Sequence, residues 1–317
     1  MPEPMTDALI EWLKDPEHRA LMEEELAATS VPPAPDSNGE NRGRVDPRNR
    51  LNDMTGAEWV FFLNSLESTC YPTTGPEGYA HRIRRIHPSP KPPQLMARLI
   101  RFFTKQGEWV LDPFAGVGGT LLGCSISGRN GVGIELDTRY INAYTEACRE
   151  TGLAPQTLLA GDARNVKSLV PDSPERYDFV LTDPPYGDLL SRARTGEALK
   201  KTGKAEATPF TDSGHDLGNL PREEFLTALQ AIIADCRDLL KPRGHCVVFT
   251  KDLQPVDGAP NMLHAEIADR LARIPGLSFR GYRIWHDRTP RLYPFGYPYT
   301  FVANQLHQFI LVFRREG

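Results

Sequence analysis

The chain has 317 residues, 40% hydrophobic and 25% charged, which is ordinary for a folded protein of one large or two smaller domains. These proportions exclude a collagen, a coiled coil and a largely disordered chain. Its five cysteines are irregularly spaced and form no C-x-x-C pair, so we expect neither a disulfide framework nor a zinc or other metal site. No apolar run approaches the roughly 18 residues of a membrane span. We therefore expect a cytoplasmic protein without a membrane partner.

Residues 1–50 form an acidic N-terminal arm in this interpretation, with six basic residues against eleven acidic ones. Residues 5–28 have the apolar spacing of an amphipathic helix. Residues 31–50 are rich in Pro, Asn, Gly, Asp and Arg and are typical of a linker. The sequence thus predicts a helix and linker arm at 1–50, followed by one domain at 51–317.

Residues 78–107 are unusual because they contain seven Lys or Arg residues and no acid. Such a stretch could face nucleic-acid phosphates, or it could be a solvated helix with its preceding loop. In the context of the motifs described below, we favour the phosphate-facing interpretation.

From residue 109 onwards, short apolar runs alternate with longer helical patterns, which predicts βαβ units and a parallel sheet. We expect the last two strands, near 277–285 and 308–314, to pair as an antiparallel hairpin at the sheet edge, because no helix separates them. The predicted strands lie at 108–112, 131–135, 157–160, 178–182 and 245–250, and the predicted helices at 94–104, 120–128, 138–151, 221–240 and 261–273.

A glycine-rich loop, Asp112-Pro-Phe-Ala-Gly-Val-Gly-Gly-Thr120, follows the first of these strands. Glycines there allow a tight turn and a close approach to a ligand, while the next helix offers free N–H groups. Glu135 ends the second strand, where a carboxylate can accept both ribose hydroxyls of an adenosine-type cofactor. Asp162 ends the third strand and could accept from an adenine amino group or simply cap the segment that follows.

Asp183-Pro184-Pro185-Tyr186 ends the fourth strand. In an open α/β sheet whose strand order reverses between the first and fourth strands, this segment faces the same crevice as the glycine loop. An exocyclic amine on a nucleobase is a poor nucleophile until its protons are hydrogen-bonded. Asp183 and the Pro184 carbonyl supply acceptors, and Tyr186 offers a flat face to an unstacked base. The plainer interpretation is a stiff strand-ending turn, with Asp183 as a cap and Tyr186 as a core residue.

Together these motifs resemble the S-adenosylmethionine-dependent amino-methyltransferases of DNA, which make adenine-N6 or cytosine-N4 products. The resemblance covers about residues 51–317 and includes the segment His87-Pro88-Ser89-Pro90-Lys91-Pro92 before the first strand. It implies a Rossmann-like class I methyltransferase with a seven-stranded, mostly parallel sheet. It also implies a catalytic segment, Asp183, Pro184, Pro185 and Tyr186, and a set of S-adenosylmethionine-binding residues: His87, Lys91, Asp112, Phe114, Gly116, Gly118, Thr120, Glu135 and Asp162.

The sequence departs from that family in three respects, of which the first leaves the crevice unchanged and the second only shifts a hydroxyl: the motif order, the triplet Gly118-Gly119-Thr120 in place of the usual Gly-Ser or Gly-Thr pair, and the recognition insertion. Many relatives place the Asp-Pro-Pro-Tyr motif before the cofactor motif, and here the order is reversed. A large target-recognition insertion is also missing, so the candidates are two short segments, 188–219 and 287–304. We therefore expect minimal sequence recognition, or recognition by a partner subunit such as one of a restriction system. The sequence does not fix the oligomeric state.

The resemblance implies double-stranded DNA with a flipped base as the partner, and it favours adenine over cytosine because Asp before Pro-Pro-Tyr is more commonly associated with adenine in that family. The motif order is also similar to that of the tRNA guanine-N2 methyltransferases, which usually carry an N-terminal RNA-binding domain. A catalytically silent nucleic-acid-binding subunit is the third hypothesis. Five aromatic residues between Tyr293 and Phe301 could stack on displaced bases or cover the sheet edge.

Overall fold

The computed structural model describes Pro16 and residues 44–170, 176–186, 211, 214–252, 261–290, 292, 294, 297–299 and 301–317. Its helices are α1 Gly56–Phe62, α2 His81–Arg84, α3 Pro93–Phe103, α4 Gly119–Ser127, α5 Thr138–Thr151, α6 Val166–Leu169, α7 Arg222–Leu239 and α8 Leu263–Ala272. Its strands are β1 Leu66–Thr69, β2 Trp109–Asp112, β3 Asn130–Glu135, β4 Thr157–Ala160, β5 Tyr177–Thr182, β6 Leu240–Thr250, β7 Leu277–Asp287 and β8 His307–Arg315. Most of the predicted acidic arm lies outside the described residues.

The described strands form one sheet in the order β1-β7-β8-β6-β5-β2-β3-β4. All neighbours are parallel except β6 with β8 and β7 with β8. The predicted α/β class with a mostly parallel sheet is confirmed. The chain turns towards β3 and β4 on one side of β2 and towards β5 and β6 on the other, so a crevice opens at the carboxyl ends of β2 and β5.

Two details of the predicted sheet are wrong. The described part of the chain forms eight strands, not seven, and the β7–β8 hairpin is not at the edge, because β1 pairs with β7 in parallel. The sequence of β1, Leu-Glu-Ser-Thr, is too short and too polar to be recognised as a strand. Its Glu67 is buried and paired at 3.1 Å with both Arg98 on α3 and Arg283 on β7, which fixes this edge.

Helices cover both faces of the sheet, which explains why its central strands are almost wholly apolar. Val110, Phe179 and Ile310 point to the face packed by α1 and α3. Their neighbours Leu111, Val180 and Leu311 point to the face packed by α7 and α8. This alternation is the two-residue period of a strand, with a hydrophobic layer on each side.

No helix in the described ranges combines the length and the apolar character needed to cross a membrane.

Candidate active site

A cavity of about 240 Å³ opens at the carboxyl ends of the parallel strands, where the reversal of strand order predicts a ligand site. Its lining joins segments that are distant in sequence. They are His87 to Ser89, Phe114, Gly116, Glu135, Tyr140, Asp162, Asp183 to Tyr186, His215 to Leu217, Lys251 and Gln308. The predicted cofactor and target-base segments therefore share one cavity.

Asp112 holds three elements together at the bottom of this crevice. The Thr120 hydroxyl donates to its Oδ2 at 2.5 Å, and the Thr182 hydroxyl and the Phe114 N–H donate to its Oδ1 at 2.8 and 3.0 Å. Burial raises the pKa of Asp112 to about 6, although these hydrogen bonds oppose the shift. In the structure, Asp112 and Thr120 thus join β2, β5 and α4, and their predicted cofactor contacts stay predictions.

The two glycines of the loop have left-handed backbones but different surroundings. Gly116, with φ of +52°, lines the cavity and donates its N–H to Glu135 Oε2 at 2.8 Å. Gly118, with φ of +73°, lies beneath the Tyr144 ring, where a Cβ would be 2.0 Å from Cδ2. Gly116 is therefore placed for a ligand, whereas Gly118 makes room for a side chain of α5.

Glu135 presents its carboxylate to the cavity from the end of β3. Its two oxygens accept backbone N–H groups of Gly116 and Asp137 at 2.8 and 2.7 Å, which fixes the side chain. Burial nevertheless raises the pKa of Glu135 to about 7. Since each carboxylate oxygen has a second lone pair, the group can still accept a pair of hydroxyls.

Asp162 has both of the positions that the sequence left open, since it faces the proposed cofactor cavity and also caps the segment that follows it. It lines the cavity, and its carboxylate also accepts the Arg164 N–H at 2.9 Å, capping the short 3-10 helix Ala163–Asn165. The Arg164 guanidinium pairs with the same carboxylate at 2.6 Å. Burial acts to raise the pKa of Asp162, but the bonds from Arg164 outweigh it and lower the pKa.

The segment before α3 contributes His87, Pro88 and Ser89 to the cavity wall and Lys91 to a buried ion pair. His87 meets Tyr140 edge to face with ring centroids 4.8 Å apart, and its Nδ1 accepts the Ser89 N–H at 3.2 Å. Burial lowers the pKa of His87 to about 4, so the imidazole is neutral near pH 7. The Lys91 ammonium, only 5% exposed, pairs with Asp183.

Asp183 has a partner on each oxygen of its carboxylate. Oδ2 is paired with Lys91, and Oδ1 accepts the Tyr186 hydroxyl at 2.5 Å. Tyr186 is buried, and burial together with the Asp183 charge raises the pKa of its hydroxyl well above the ordinary value. Pro184 and Pro185 continue the cavity wall. All four predicted catalytic residues are therefore at the cavity, and their roles stay predictions.

The basic stretch 78–107 does not form one phosphate-facing surface, which corrects the expectation from sequence. Three of its basic residues pair with acidic residues from other parts of the chain: Arg98 with Glu67, Lys91 with Asp183, and Arg82 with Glu150 at 3.4 Å. Arg84 is 1% exposed and donates to the backbone carbonyls of Lys91 and Val117 at 2.5 and 3.2 Å. Among the basic residues of this stretch, Arg82, Arg85 and Arg101 are exposed.

The residues of the cavity wall that sequence reasoning missed include Tyr140 on α5, Lys251 after β6 and Gln308 in β8. Lys251 was detectable, because it follows a predicted strand whose carboxyl end meets the others. Gln308 could not be found in this way, since β8 is antiparallel and contributes its amino end to the same edge.

The two predicted recognition segments are described only in part. Residues 188–210, 212 and 213 lie outside the described part of the chain, while Thr211 and His215 to Leu217 line the cavity. In the second segment, Tyr297, Tyr299 and Phe301 are 80–92% exposed. These three rings therefore do not cover the sheet edge, and stacking on bases stays a prediction.

Residues 33–146 match the family model described as DNA methylase. A tRNA (guanine(10)-N2)-dimethyltransferase of Methanothermobacter thermautotrophicus is 29% identical over 43% of this chain and 37% of its own length. The enzyme of that name from Methanocaldococcus jannaschii is 33% identical over 45% of this chain and 41% of its own length. The type II methyltransferase M.MthZI of Methanothermobacter thermautotrophicus is 37% identical over 22% of this chain and 20% of its own length. The chain thus spans about two fifths or less of these relatives.

Among solved structures, the chain is similar to TrmN from Thermus thermophilus, with a TM-score of 0.48 and 18% identity over 75% of this chain and 53% of that one. A TehB-like methyltransferase from Corynebacterium glutamicum matches with a TM-score of 0.41 and 16% identity over 76% of this chain and 98% of that one.

Proposed function

We propose that this chain, an S-adenosylmethionine-dependent methyltransferase of the N6/N4 family, methylates the exocyclic amine of a base flipped out of DNA, with adenine N6 as the favoured target. The observation that carries the proposal is one shared cavity. Glu135, the predicted ribose acceptor, and Asp183, the predicted amine acceptor, line the same space.

The cavity residues fit S-adenosylmethionine. Glu135 offers a fixed carboxylate to ribose hydroxyls, and Gly116 lines the cavity with backbone alone, having no side chain of its own. Ile134, Leu136 and Ala163 provide apolar walls for an adenine ring, and Asp162 lies beside them. When bound there, S-adenosylmethionine supplies an electrophilic methyl group on its sulfonium.

The other half of the cavity fits a nucleobase amine. Asp183, held by Lys91, accepts a hydrogen bond from the amine and so directs the nitrogen lone pair towards the methyl donor. The rigid Pro184-Pro185 step fixes that wall, and the Tyr186 ring flanks the base. Asp183 favours adenine by family association, and cytosine N4 is the alternative within the same chemistry. A recognition or restriction subunit remains the proposed source of any sequence specificity.

A second candidate is methylation of guanine N2 in tRNA, which the names of two relatives favour. The same acceptor residues would serve, since this reaction also has an exocyclic amine as its nucleophile. What changes is the nucleic acid and the edge of the base that enters the cavity.

One experiment separates these possibilities. Purified protein is incubated with methyl-labelled S-adenosylmethionine and unmodified DNA or unmodified tRNA, and the nucleosides are identified by mass spectrometry. N6-methyladenine in DNA is the expected product. N4-methylcytosine would correct only the base, and label confined to guanine of tRNA would establish the second candidate. No transfer to either, together with cofactor binding by calorimetry, would count against catalysis by the chain alone.

A further inference from the structure

The carboxylate proposed to activate the amine is already engaged on both oxygens. Lys91 holds Oδ2 of Asp183, and the Tyr186 hydroxyl donates to Oδ1 at 2.5 Å. Each donor draws negative charge from the carboxylate and so weakens it as an acceptor. Each oxygen keeps a second lone pair for a base amine, and the carboxylate accepts more strongly when one of these two donors moves away.

Lys91 is the donor that cannot leave. Its ammonium is 5% exposed and lies 6.0 and 5.3 Å from the ring centroids of Tyr186 and Phe249. Separating it from Asp183 would leave an unpaired charge in a buried position, which is strongly unfavourable. The Lys91 pair therefore fixes Oδ2 throughout the reaction.

The Tyr186 hydroxyl, by contrast, has a second acceptor within reach. Its oxygen is 3.4 Å from Oε1 of Gln308 and 2.5 Å from Oδ1 of Asp183. Rotation of the hydroxyl hydrogen, with a small shift of the ring, exchanges one acceptor for the other. Burial raises the hydroxyl pKa well above its ordinary value, so the group remains a donor in both positions.

Gln308 is held in place independently of the loops around the cavity. It lies in β8 and pairs with Trp285 of β7, inside the described sheet rather than at its edge. Its side chain reaches the same cavity as Asp183. The sheet thus fixes the second acceptor, and the hydroxyl does not have to be left unsatisfied when it moves.

We propose that Gln308 is a positioning residue that takes the Tyr186 hydroxyl away from Asp183 when the target base enters, so that Oδ1 becomes a stronger acceptor for the amine. This inference rests on the proposed function, because it concerns activation of an exocyclic amine. It adds to that function an exchange of hydrogen-bond partners within the cavity wall.

The test is a double-mutant cycle between positions 186 and 308. Single-turnover methyl transfer is measured with saturating cofactor and nucleic acid, and both dissociation constants are measured separately. Gln308→Leu removes the second acceptor and is expected to slow transfer about tenfold, the effect of one hydrogen bond to a charged group, with both dissociation constants unchanged. Gln308→Glu keeps an oxygen at that place and should restore most of the rate.

The Tyr186→Phe background carries the decisive comparison. Without a hydroxyl to move, Gln308→Leu should have no further effect on the rate. The matched control is Gln230→Leu, since Gln230 lies on α7 and donates to the Arg270 carbonyl at 3.1 Å. Its rate should equal that of the unmodified protein.

Two results would overturn the inference. One is an unchanged rate in Gln308→Leu. The other is an equal loss whether or not the Tyr186 hydroxyl is present, which would mean that Gln308 acts on the base directly. Absence of transfer by the unmodified protein to both DNA and tRNA would instead overturn the proposed function, and the inference with it.

Discussion

The Tyr144 ring lies so close to Gly118 that a Cβ on the glycine would be 2.0 Å from Cδ2 of the ring. Gly118 also has φ of +73°, a backbone conformation that side chains disfavour. We expect Gly118→Ala to lower the free energy of unfolding by roughly 2–5 kcal/mol, from overpacking and backbone strain together. Urea denaturation would measure it.

The matched control for this substitution is Gly152→Ala. Gly152 ends α5 with a φ of +69° but has open space where its Cβ would lie. Only the backbone strain of about 1–2 kcal/mol applies there. Equal losses at the two positions would show that the Tyr144 ring moves aside at no cost.

Asp183→Asn is expected to reduce methyl transfer by roughly 10²–10⁴-fold while cofactor affinity stays nearly unchanged, because the carboxylate acts on the base amine. Asparagine still offers Lys91 an oxygen, whereas Asp183→Ala would also leave that buried ammonium unpaired, at roughly 3–5 kcal/mol of stability. Calorimetry with S-adenosylmethionine and single-turnover assays separate these effects. If the Asn variant lost cofactor affinity, Asp183 would contact the cofactor, and its assignment to the target base would be wrong.

Cofactor affinity should depend on pH through Glu135. Burial raises its pKa to about 7, so the carboxyl group is mostly protonated at pH 6 and mostly ionised at pH 8. An ionised carboxylate accepts more strongly from ribose hydroxyls than a neutral carboxyl group does, so affinity should rise as pH increases through 7. Glu135→Gln should bind more weakly and remove this dependence in calorimetric titrations. Glu146→Gln, exposed on α5, should keep it.

Asp112 should make the fold less stable as pH rises. Burial raises its pKa from 3.8 to about 6, so the folded state retains the proton where the unfolded chain has lost it. The contribution of Asp112 to the free energy of unfolding, roughly 3 kcal/mol, is fully present below about pH 4 and is lost as the pH rises through about 6. Asp112→Asn should flatten the stability profile between these values in urea denaturation. Glu135, whose pKa is also raised, lowers stability in the same direction up to about pH 7 and leaves a residual pH dependence in this variant. If Asp112→Asn left the dependence of stability on pH between 4 and 6 unchanged, the assignment to Asp112 would be wrong.

The exposed aromatic rings at 297–301 offer a separate test of nucleic-acid binding. Tyr297 is 80% exposed, so Tyr297→Ala should leave stability unchanged. Loss of one stacked base should weaken affinity for nucleic acid by roughly 1–3 kcal/mol in a fluorescence titration. Phe61→Ala, which removes a ring that is 44% exposed on α1, serves as the control. Unchanged affinity and turnover for Tyr297→Ala would remove the stacking hypothesis.

The sequence is most informative where local pattern and tertiary environment agree. Helix α5 begins and ends where the sequence predicts, because Asp137 caps it and Gly152 ends it. The carboxyl ends of the parallel strands correctly bring Glu135, Asp162 and Asp183 to one edge. The basic stretch could not be interpreted from its own composition, because the partner of Arg98 is in β1 and the partner of Lys91 is in the catalytic segment. The strand β1 itself depends on a buried charge that no periodicity reveals.

The pairing of β1 with β7 also constrains the order in which the chain can fold. The Ser68 hydroxyl and the His286 ring that meet across this edge are 218 residues apart in sequence, and the two arginines paired with Glu67 come from α3 and β7. During synthesis, residues 66–69 leave the ribosome early, yet their partner strand is made almost last. Long-range pairings of this kind close slowly. Among the described strands, we therefore expect β1 to join the sheet only after β7, and until then Glu67 lacks the second of its two arginine partners.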